Sequence, residues 1–536
     1  MSKINICPLG GVGEIGSNMT LIETDEQKII IDLGILFPYE DFFDINYLIP
    51  DLSKIENTKN LKLLISHGHE DHIGAIHHLV LKFPEIEIYA PEFASILIKK
   101  KCSEHNIVPV ISTYKEEDIL YFSDLEVHPI HVNHSIPDTF GFYIRNKNKI
   151  GFFFCSDFKV DLNSSLEKPF NLNKLSKLML ESKSNLFMID STNILSPKKT
   201  ESENELVINF EKYIQENRRV FVTLFSSNIY RMQNIIRLAE KYGKKVVPIG
   251  RSIHFYLEAA QESKKINFNQ NTIVDIKSIE AYSENKLIFI LSGCQGDFLG
   301  SLRKIAFGEY GDFKLKIGDL FLFSSKAIPG NEKKINRIYN KITEAGCEII
   351  TAHDSLIHAS GHPCQEDLKI LLSHCIPNFY IPIHGESFFL KRHESFILKN
   401  YPQIKPYLIL NNDMIEYSES GIKIKKNNQE VLPVIYHSKN IILERPRISE
   451  RRKLATQGVV FISINKISKK FSLTINGLPD IAHLNLEKTK KSIQQEIFDL
   501  DFSLPHEVLS DKIRIITRNK FDKFLFYKPM TFVHIL

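Results

Sequence analysis

The stretch S-H-G-H-E-D-H-I-G, residues 66–74, restricts this chain more than any other feature. His67, His69, Asp71 and His72 fall within six positions, directly after the apolar run L-K-L-L-I-S. Imidazoles at i and i+2 of an extended segment point the same way and can grip one metal ion. Asp71 and His72, where helical spacing begins, can face a second ion. Mixed imidazole and carboxylate donors suit borderline metals such as zinc. Six positions cannot complete two sites, so the fold must bring other strand ends to the same place. His134 in V-N-H-S-I-P-D, Asp157 in F-C-S-D-F-K and His384 in Y-I-P-I-H-G-E each sit just past an apolar run. Asp157 has the chemistry to bridge two ions. An exposed histidine-rich loop would explain the first cluster, but not the position type that all these residues share. His77 and His78 lie further along the helix and are expected at the surface.

A chain of 536 residues exceeds one ordinary domain. With 43% hydrophobic and 25% charged residues it has the composition of a globular protein with a large core. The net charge of +4 permits a polyanionic partner without demanding one. The seven cysteines are odd in number and contain no C-x-x-C, which excludes a thiolate zinc site and a disulfide framework. No apolar run reaches membrane-spanning length and the first residues lack a secretory pattern. The expectation is a cytoplasmic protein with no membrane association.

Residues 1–201 read as short strands with turns, followed by helices. D-H-I-G-A-I-H-H-L-V-L-K-F has helical spacing. From residue 202 helices and strands alternate: E-N-E-L-V-I-N-F-E-K-Y-I, then V-F-V-T-L-F, then a helix ending near Gly243, which can serve as its cap. Near 380 the earlier style returns, which points to one domain inserted in another. The expected parts are 1–201 and 362–440 for the host, 202–361 for the insertion, 441–452 for a linker and 453–536 for a small C-terminal α/β domain. From residue 437 the chain carries 18 Lys and Arg against 10 Asp and Glu.

Gly11, Gly13 and Gly16 spell G-x-G-x-x-G, with Asp32 downstream, which outlines a dinucleotide-binding turn. Such a turn must open a helix whose N-terminus receives the pyrophosphate. Here S-N-M-T-L-I-E-T-D-E-Q-K-I-I-I-D reads as two strands, so NAD binding is rejected. The glycines are expected to let the backbone pass close to the metal site.

H-x-H-x-D-H followed by a lone His, a lone Asp and a late His resembles the metallo-β-lactamase fold. The inserted segment and the late S-G-H and P-I-H-G-E motifs resemble its β-CASP branch. P-L-G-G-V-G-E-I-G-S-N, H-S-I-P-D, D-S-T-N, I-P-G-N-E, H-A-S-G-H, Q-E-D-L-K and the tail K-P-M-T-F-V-H-I-L are similar, in order and spacing, to the ribonuclease J family. The resemblance covers essentially the whole chain. It implies an α/β architecture: a metallo-β-lactamase αββα sandwich, an inserted β-CASP domain and a small C-terminal α/β domain.

The resemblance also implies roles. His67, His69 and His134 would hold one zinc ion; Asp71, His72 and His384 the other; Asp157 would bridge. Two zinc ions per subunit are expected, with manganese as the alternative. Asp71 would orient the attacking water, His362 would protonate the leaving oxygen, and Asp190 would hold the His362 tautomer. His358, Ala359, Ser360, Gly361 and His362 would bind substrate phosphate with Phe225, Ser226, Ser227 and Asn228, and Arg231 would add charge. The implied activity is 5′-to-3′ exonucleolytic and endonucleolytic cleavage of RNA, in mRNA decay and rRNA maturation. The implied assembly is a homo-oligomer, dimer or tetramer, through the C-terminal domain. The chain departs from the family where Ser156 precedes Asp157 and in S-G-C-Q-G-D-F-L-G, residues 292–300. The competing readings are a DNA-acting β-CASP nuclease, a small-ester hydrolase and a weakly active partner subunit. His384 argues against DNA, the insertion against small esters, and the full ligand set against lost activity.

Overall fold

Two facing sheets carry the N-terminal part of the chain, and the sequence alternation of strand Ile150–Cys155 explains why. All six of its residues are buried. Phe152 and Phe154 point into the core between the sheets, with Ile6, Ile22, Ile31, Met188 and Ile381. Phe153 points the other way, among Phe187, Leu175, Leu368 and Phe396. A strand with helices on one face and a sheet on the other must be apolar on both. Each fully buried Phe side chain contributes about 1.5–3 kcal/mol by leaving water.

The computed structural model describes residues 3–38, 45–55, 60–328, 330–427, 433–437, 441–479 and 486–536. It comprises two compact units: Met1–Phe37 with Leu48–Pro433, and Pro38–Tyr47 with Val434–Leu536. Pro329 of the I-P-G-N-E motif lies outside the described residues.

In the first unit, one sheet has eight strands, in the order Gly421–Lys425, Met414–Ser418, Ile4–Gly10, Met19–Glu23, Lys28–Ile31, Leu61–Leu64, Glu87–Pro91 and Val110–Tyr114. The other has seven, in the order Lys405–Pro406, Phe379–Ile383, Ser184–Asp190, Ile150–Cys155, Phe140–Asn146, Leu125–His131 and Leu120–Phe122. Helix Glu92–Glu104 packs on the first sheet, and helices Leu172–Leu180, Gln365–His374 and Ser387–Asn400 back the second. This is a mixed α/β sandwich with helices outside.

The expected helix after the histidine cluster forms in two pieces, Glu70–Ile73 and Ile76–Lys82. The break falls at Gly74, where an added Cβ would lie 2.9 Å from the Ile35 side chain. His77 and His78 are buried rather than at the surface. The His77 ring stacks on His105 at 4.2 Å and leans on His78 at 3.9 Å. Adjacent positions on a short helix cannot both face water when the next helix packs across it.

Between Asp190 and His384 the chain builds a five-stranded parallel sheet, in the order Lys245–Ile249, Leu287–Leu291, Val220–Thr223, Leu320–Phe323 and Glu348–Ile350. Phe221 at its centre stacks between Phe289 and Phe321, each 4.5 Å away. Because all five strands run the same way, the loops after their carboxyl ends share one edge, where open parallel sheets bind ligands. Ser202 starts helix Glu203–Ile214 with a capping box to Glu205, and Gly243, at φ +58°, follows helix Ile229–Lys241 as expected of a helix-ending glycine.

In the second unit, R-P-R-I-S-E-R-R-K, read as linker, lies in helix Arg445–Gln457, with proline in its first turn. A three-stranded sheet follows, with Val459–Ile464 central, antiparallel to Phe471–Asn476 and parallel to Met530–Ile535. Helices Leu486–Phe498 and His506–Leu525 cover one face through Ile493, Ile513 and Phe521. No helix among the described residues is long and apolar enough to cross a membrane. All seven cysteines are buried and none is in a disulfide.

Candidate metal centre

Strand ends deliver the donors. Strand Leu61–Leu64 runs into His67 and His69; helix Glu70–Ile73 carries Asp71 and His72. His134 follows strand Leu125–His131, Asp157 follows Ile150–Cys155, and His384 follows Phe379–Ile383. The structure gathers these seven residues into two donor groups: His67, His69, His134 and Asp157; and Asp71, His72 and His384. In the first, His67 Nε2 lies 3.1 Å from His69 Nδ1, and His134 Nε2 lies 3.0 Å from the same atom.

Asp157 stands between the groups. Its Oδ2 lies 3.4 Å from His134 Nε2 and 3.7 Å from His67 Nε2. Its Oδ1 lies 3.2 Å from both His72 Nε2 and His384 Nε2. Asp157 Oδ1 and His384 Nε2 are buried without a hydrogen bond among the described residues. Buried polar atoms left unmade cost stability. Atoms that crowd together without bonding one another converge on a common point, as ligands do. The donor set fits divalent cations.

The opposite sides of the rings are held. His67 Nδ1 lies 2.9 Å from Ser66 Oγ, which donates at 2.7 Å to Asp32 Oδ2. His72 Nδ1 lies 2.7 Å from the same Asp32 oxygen. Asp32 thus orients one ring in each group, from a left-handed backbone at φ +60°. His384 is also left-handed, at φ +53°, and its Nδ1 lies 2.9 Å from Thr192 Oγ1. Non-glycine residues hold such angles at a cost, typically at functional sites. His134 Nδ1 lies 2.6 Å from Gly361 O. Partners of this kind fix the tautomer and leave Nε2 as the ligand atom.

Burial sets the charges. It lowers His67 and His134 well below the usual imidazole range and His69 to about 4, despite Asp157, so these rings are neutral, as ligands must be. Burial opposes charge on His72 and His384 too, but Asp157 and the neighbouring carboxylates hold both well above the usual range, so an ion that took up those carboxylates would have to displace the ring protons. Asp71 is held well below the carboxylate range, against burial, by His72 and His384.

The glycine loop forms a wall of this centre. Asn18, just past it, donates from Nδ2 to Asp71 O at 3.1 Å and to Asp71 Oδ2 at 3.2 Å. Val12–Gly13 pairs with Gly385–Glu386, immediately after His384. Strand Met19–Glu23 follows the glycines, with no helix. Asn18 and Thr192 were not singled out in the sequence. Their signal was adjacency: one follows the glycine loop, the other follows Asp190.

His362 joins from the end of the inserted segment. Its Nδ1 lies 2.8 Å from Asp190 Oδ2, and Asp190, with Asp157, holds its pKa up although burial opposes this. Asn193 Nδ2 donates to Ser360 Oγ at 2.7 Å and to His362 O at 3.1 Å. Ala359 and Gly361 are buried, while Ser360 is half-buried. Phe225, Ser226 and Ser227 are half-buried at the carboxyl end of Val220–Thr223.

Two of the expected substrate residues have partners within the chain. Arg231 does not add free charge: it is fully buried and paired with Glu203 at 2.6 Å. Its guanidinium instead donates to Ser324 O at 2.8 Å and Ala359 O at 2.9 Å, and lies 3.2 Å from His358 Nδ1. Asn228 is also spent internally, accepting from Arg231 N at 3.0 Å as the helix cap and donating to Glu203 Oε1 at 3.3 Å. His358 is held neutral, at about 3, by burial and by the nearby Arg231 and Lys326.

Comparison with known proteins follows the same lines. Residues 12–141 match the metallo-beta-lactamase superfamily, and residues 217–342 match the domain described as "Ribonuclease J, beta-CASP domain". The chain is 31% identical to ribonuclease J of Helicobacter pylori (strain J99 / ATCC 700824), over 98% of this chain and 78% of that protein. It is 31% identical to ribonuclease J 1 of Streptococcus pyogenes serotype M3, over 97% and 92%. It is 30% identical to ribonuclease J of Mycoplasma genitalium, over 89% and 84%. Among solved structures, a protein of unknown function from Enterococcus faecalis V583 shares the fold, with a TM-score of 0.56 and 14% identity over 77% of this chain and 100% of that one.

Proposed function

This chain belongs to the ribonuclease J family, and from that premise we propose that it is a metal-dependent ribonuclease. Its substrate is RNA, cut at the phosphodiester by hydrolysis. The finer reading is a pair of zinc ions, 5′-to-3′ exonucleolytic action on 5′-monophosphorylated RNA with endonucleolytic cleavage besides, and service in mRNA decay and rRNA maturation. Self-association through the C-terminal domain belongs to the same reading.

One observation carries it: the two oxygens of Asp157 face two separate groups of ring nitrogens. His67, His69 and His134 would hold one ion, Asp71, His72 and His384 the other, with Asp157 shared. Divalent ions held there would make water more acidic and stabilise charge on phosphoryl oxygens.

The rest is the work of the chain's own groups. Asp71, kept ionised and steadied by Asn18, accepts a hydrogen bond from the attacking water. His362, its Nδ1–H held by Asp190, presents Nε2 to the leaving 3′ oxygen and donates its proton there. Asp190 and Asp157 favour the protonated ring, although burial opposes it. Ser360, with the small residues beside it, lets a phosphate approach the backbone of 358–362, and Ser226 and Ser227 line the facing loop.

The test compares one RNA bearing a 5′-monophosphate, triphosphate or hydroxyl. Release of mononucleotides from the monophosphate RNA, and its abolition by His69→Ala or Asp71→Ala in a folded protein, are the expected results. Cleavage of DNA alone, or no cleavage with added zinc or manganese, overturns the reading in favour of a DNA nuclease or a weakly active partner subunit.

A further inference from the structure

The C-terminal sheet has one covered face and one open face. Val460, Ile462 and Ile464 point into the core beneath it, so Phe461 points away. On the neighbouring parallel strand, Phe532 pairs directly with Phe461. The two rings stack at 5.5 Å with 20° between planes, and they stay 46% and 40% exposed. Large aromatic rings half in water, side by side on a rigid sheet, are an unusual expense of apolar surface.

The surroundings say what fits them. Register puts Thr474 on the other side of Phe461, with Ser472, Ser463 and His534 in one adjoining row and Asn476, Val459 and Met530 in the other, so the described strands place no acidic residue on the open face. At one end the turn from Asn465 to Lys470 carries Lys466, Lys469 and Lys470, none in an ion pair among the described residues. Exposed aromatics, polar neighbours and free cations at the rim are the chemistry of single-stranded nucleic-acid binding: bases stack on rings and phosphates meet lysines. Size agrees. Three strands about 4.8 Å apart and six residues long give a face of roughly 300 Å². A stable pair of copies buries about 800 Å² on each partner.

We propose that Phe461 and Phe532 form a second RNA contact, a stacking platform that holds single-stranded RNA outside the metal centre. This rests on the ribonuclease reading for the identity of the nucleic acid as RNA. The platform needs no metal and performs no cleavage; it raises affinity for RNA long enough to reach it.

The experiment uses the full-length, metal-loaded protein and two RNAs. One is a 5′-monophosphorylated trinucleotide, for cleavage. The other is a phosphorothioate-linked single strand of about 20 nucleotides, longer than one binding face covers, for binding. Phe461→Ala with Phe532→Ala is expected to weaken binding of the long RNA about tenfold or more. Trinucleotide cleavage should stay within about twofold, and Phe→Trp at both positions should restore binding. Unchanged long-RNA affinity in the alanine variant overturns the proposal, as does a change of oligomeric state with unchanged affinity, which would make this face an interface between copies. If the unaltered protein cleaves no RNA, the ribonuclease reading falls, while the binding measurement still decides whether the platform exists.

Discussion

His134 and Gly361 stand 227 positions apart, yet His134 Nδ1 lies 2.6 Å from the Gly361 carbonyl oxygen. One is a candidate metal ligand, the other a member of the candidate phosphate loop. A single hydrogen bond therefore ties the position of the loop to the orientation of the ring.

Gly361→Ala tests that tie. A Cβ there would lie 2.5 Å from His134 Cε1 and 2.6 Å from Nδ1, so the ring must turn. Loss of an outer partner of a ligating histidine typically lowers metal affinity about 10–100-fold. We expect a loss of that order in chelator titration, with a matching fall in RNA cleavage at limiting metal. Retention of metal at the wild-type level would show that Gly361 does not set the ring.

His362→Ala separates proton transfer from metal holding. If His362 is the general acid, kcat falls about 10²–10⁴-fold. Metal content should be unchanged, and a substrate with a better leaving group than a ribose 3′ oxygen should be spared. Loss of metal from the variant would instead make His362 a ligand.

Arg231 is predicted to act through the loop rather than on substrate. Arg231→Ala leaves Glu203 buried without its partner, at a cost of about 3–5 kcal/mol. Replacing both, Arg231→Met with Glu203→Leu, should recover most of the melting temperature. RNA KM should stay raised several-fold, because Ala359 O and Ser324 O are still released. Full recovery of KM along with stability would confine Arg231 to a structural role.

Glu167 supplies a pH dependence of stability. Burial pushes its carboxyl up to about 8, with Lys159 and the Tyr230 hydroxyl pulling the other way. The folded state therefore binds this proton more tightly than the unfolded chain does. Its contribution is full below the ordinary carboxylate range and is lost as pH rises to about 8. Melting curves across that window should fall with pH, and Glu167→Gln should flatten the fall. An equal slope in both proteins would mean that the carboxyl is ionised throughout.

The histidine cluster, the three later candidate ligands and the open glycine loop could all be picked out in the sequence for one reason. Each follows an apolar strand run, and strand ends are readable from local pattern. Commitment of a side chain to a distant partner is not. Arg231 looked like free charge because Glu203, which neutralises it, lies 28 positions away on another helix. Asn228 looked like a substrate group but caps the helix that carries Arg231. His77 and His78 looked exposed because the ring of His105, which stacks on His77, belongs to the next helix end. The backbone oxygen of Gly361 carries no sequence signal at all, since every residue has one.

The late position of His384 has a consequence for how this protein is made. The chain has 536 residues, and the second donor group is missing its last imidazole until His384 has left the ribosome. Gly361 and His362 also arrive late, after the whole insertion. A nascent chain holding only the first cluster has ligands but no finished centre. Synthesis from one end thus orders assembly: the candidate centre closes only after the inserted segment has been made.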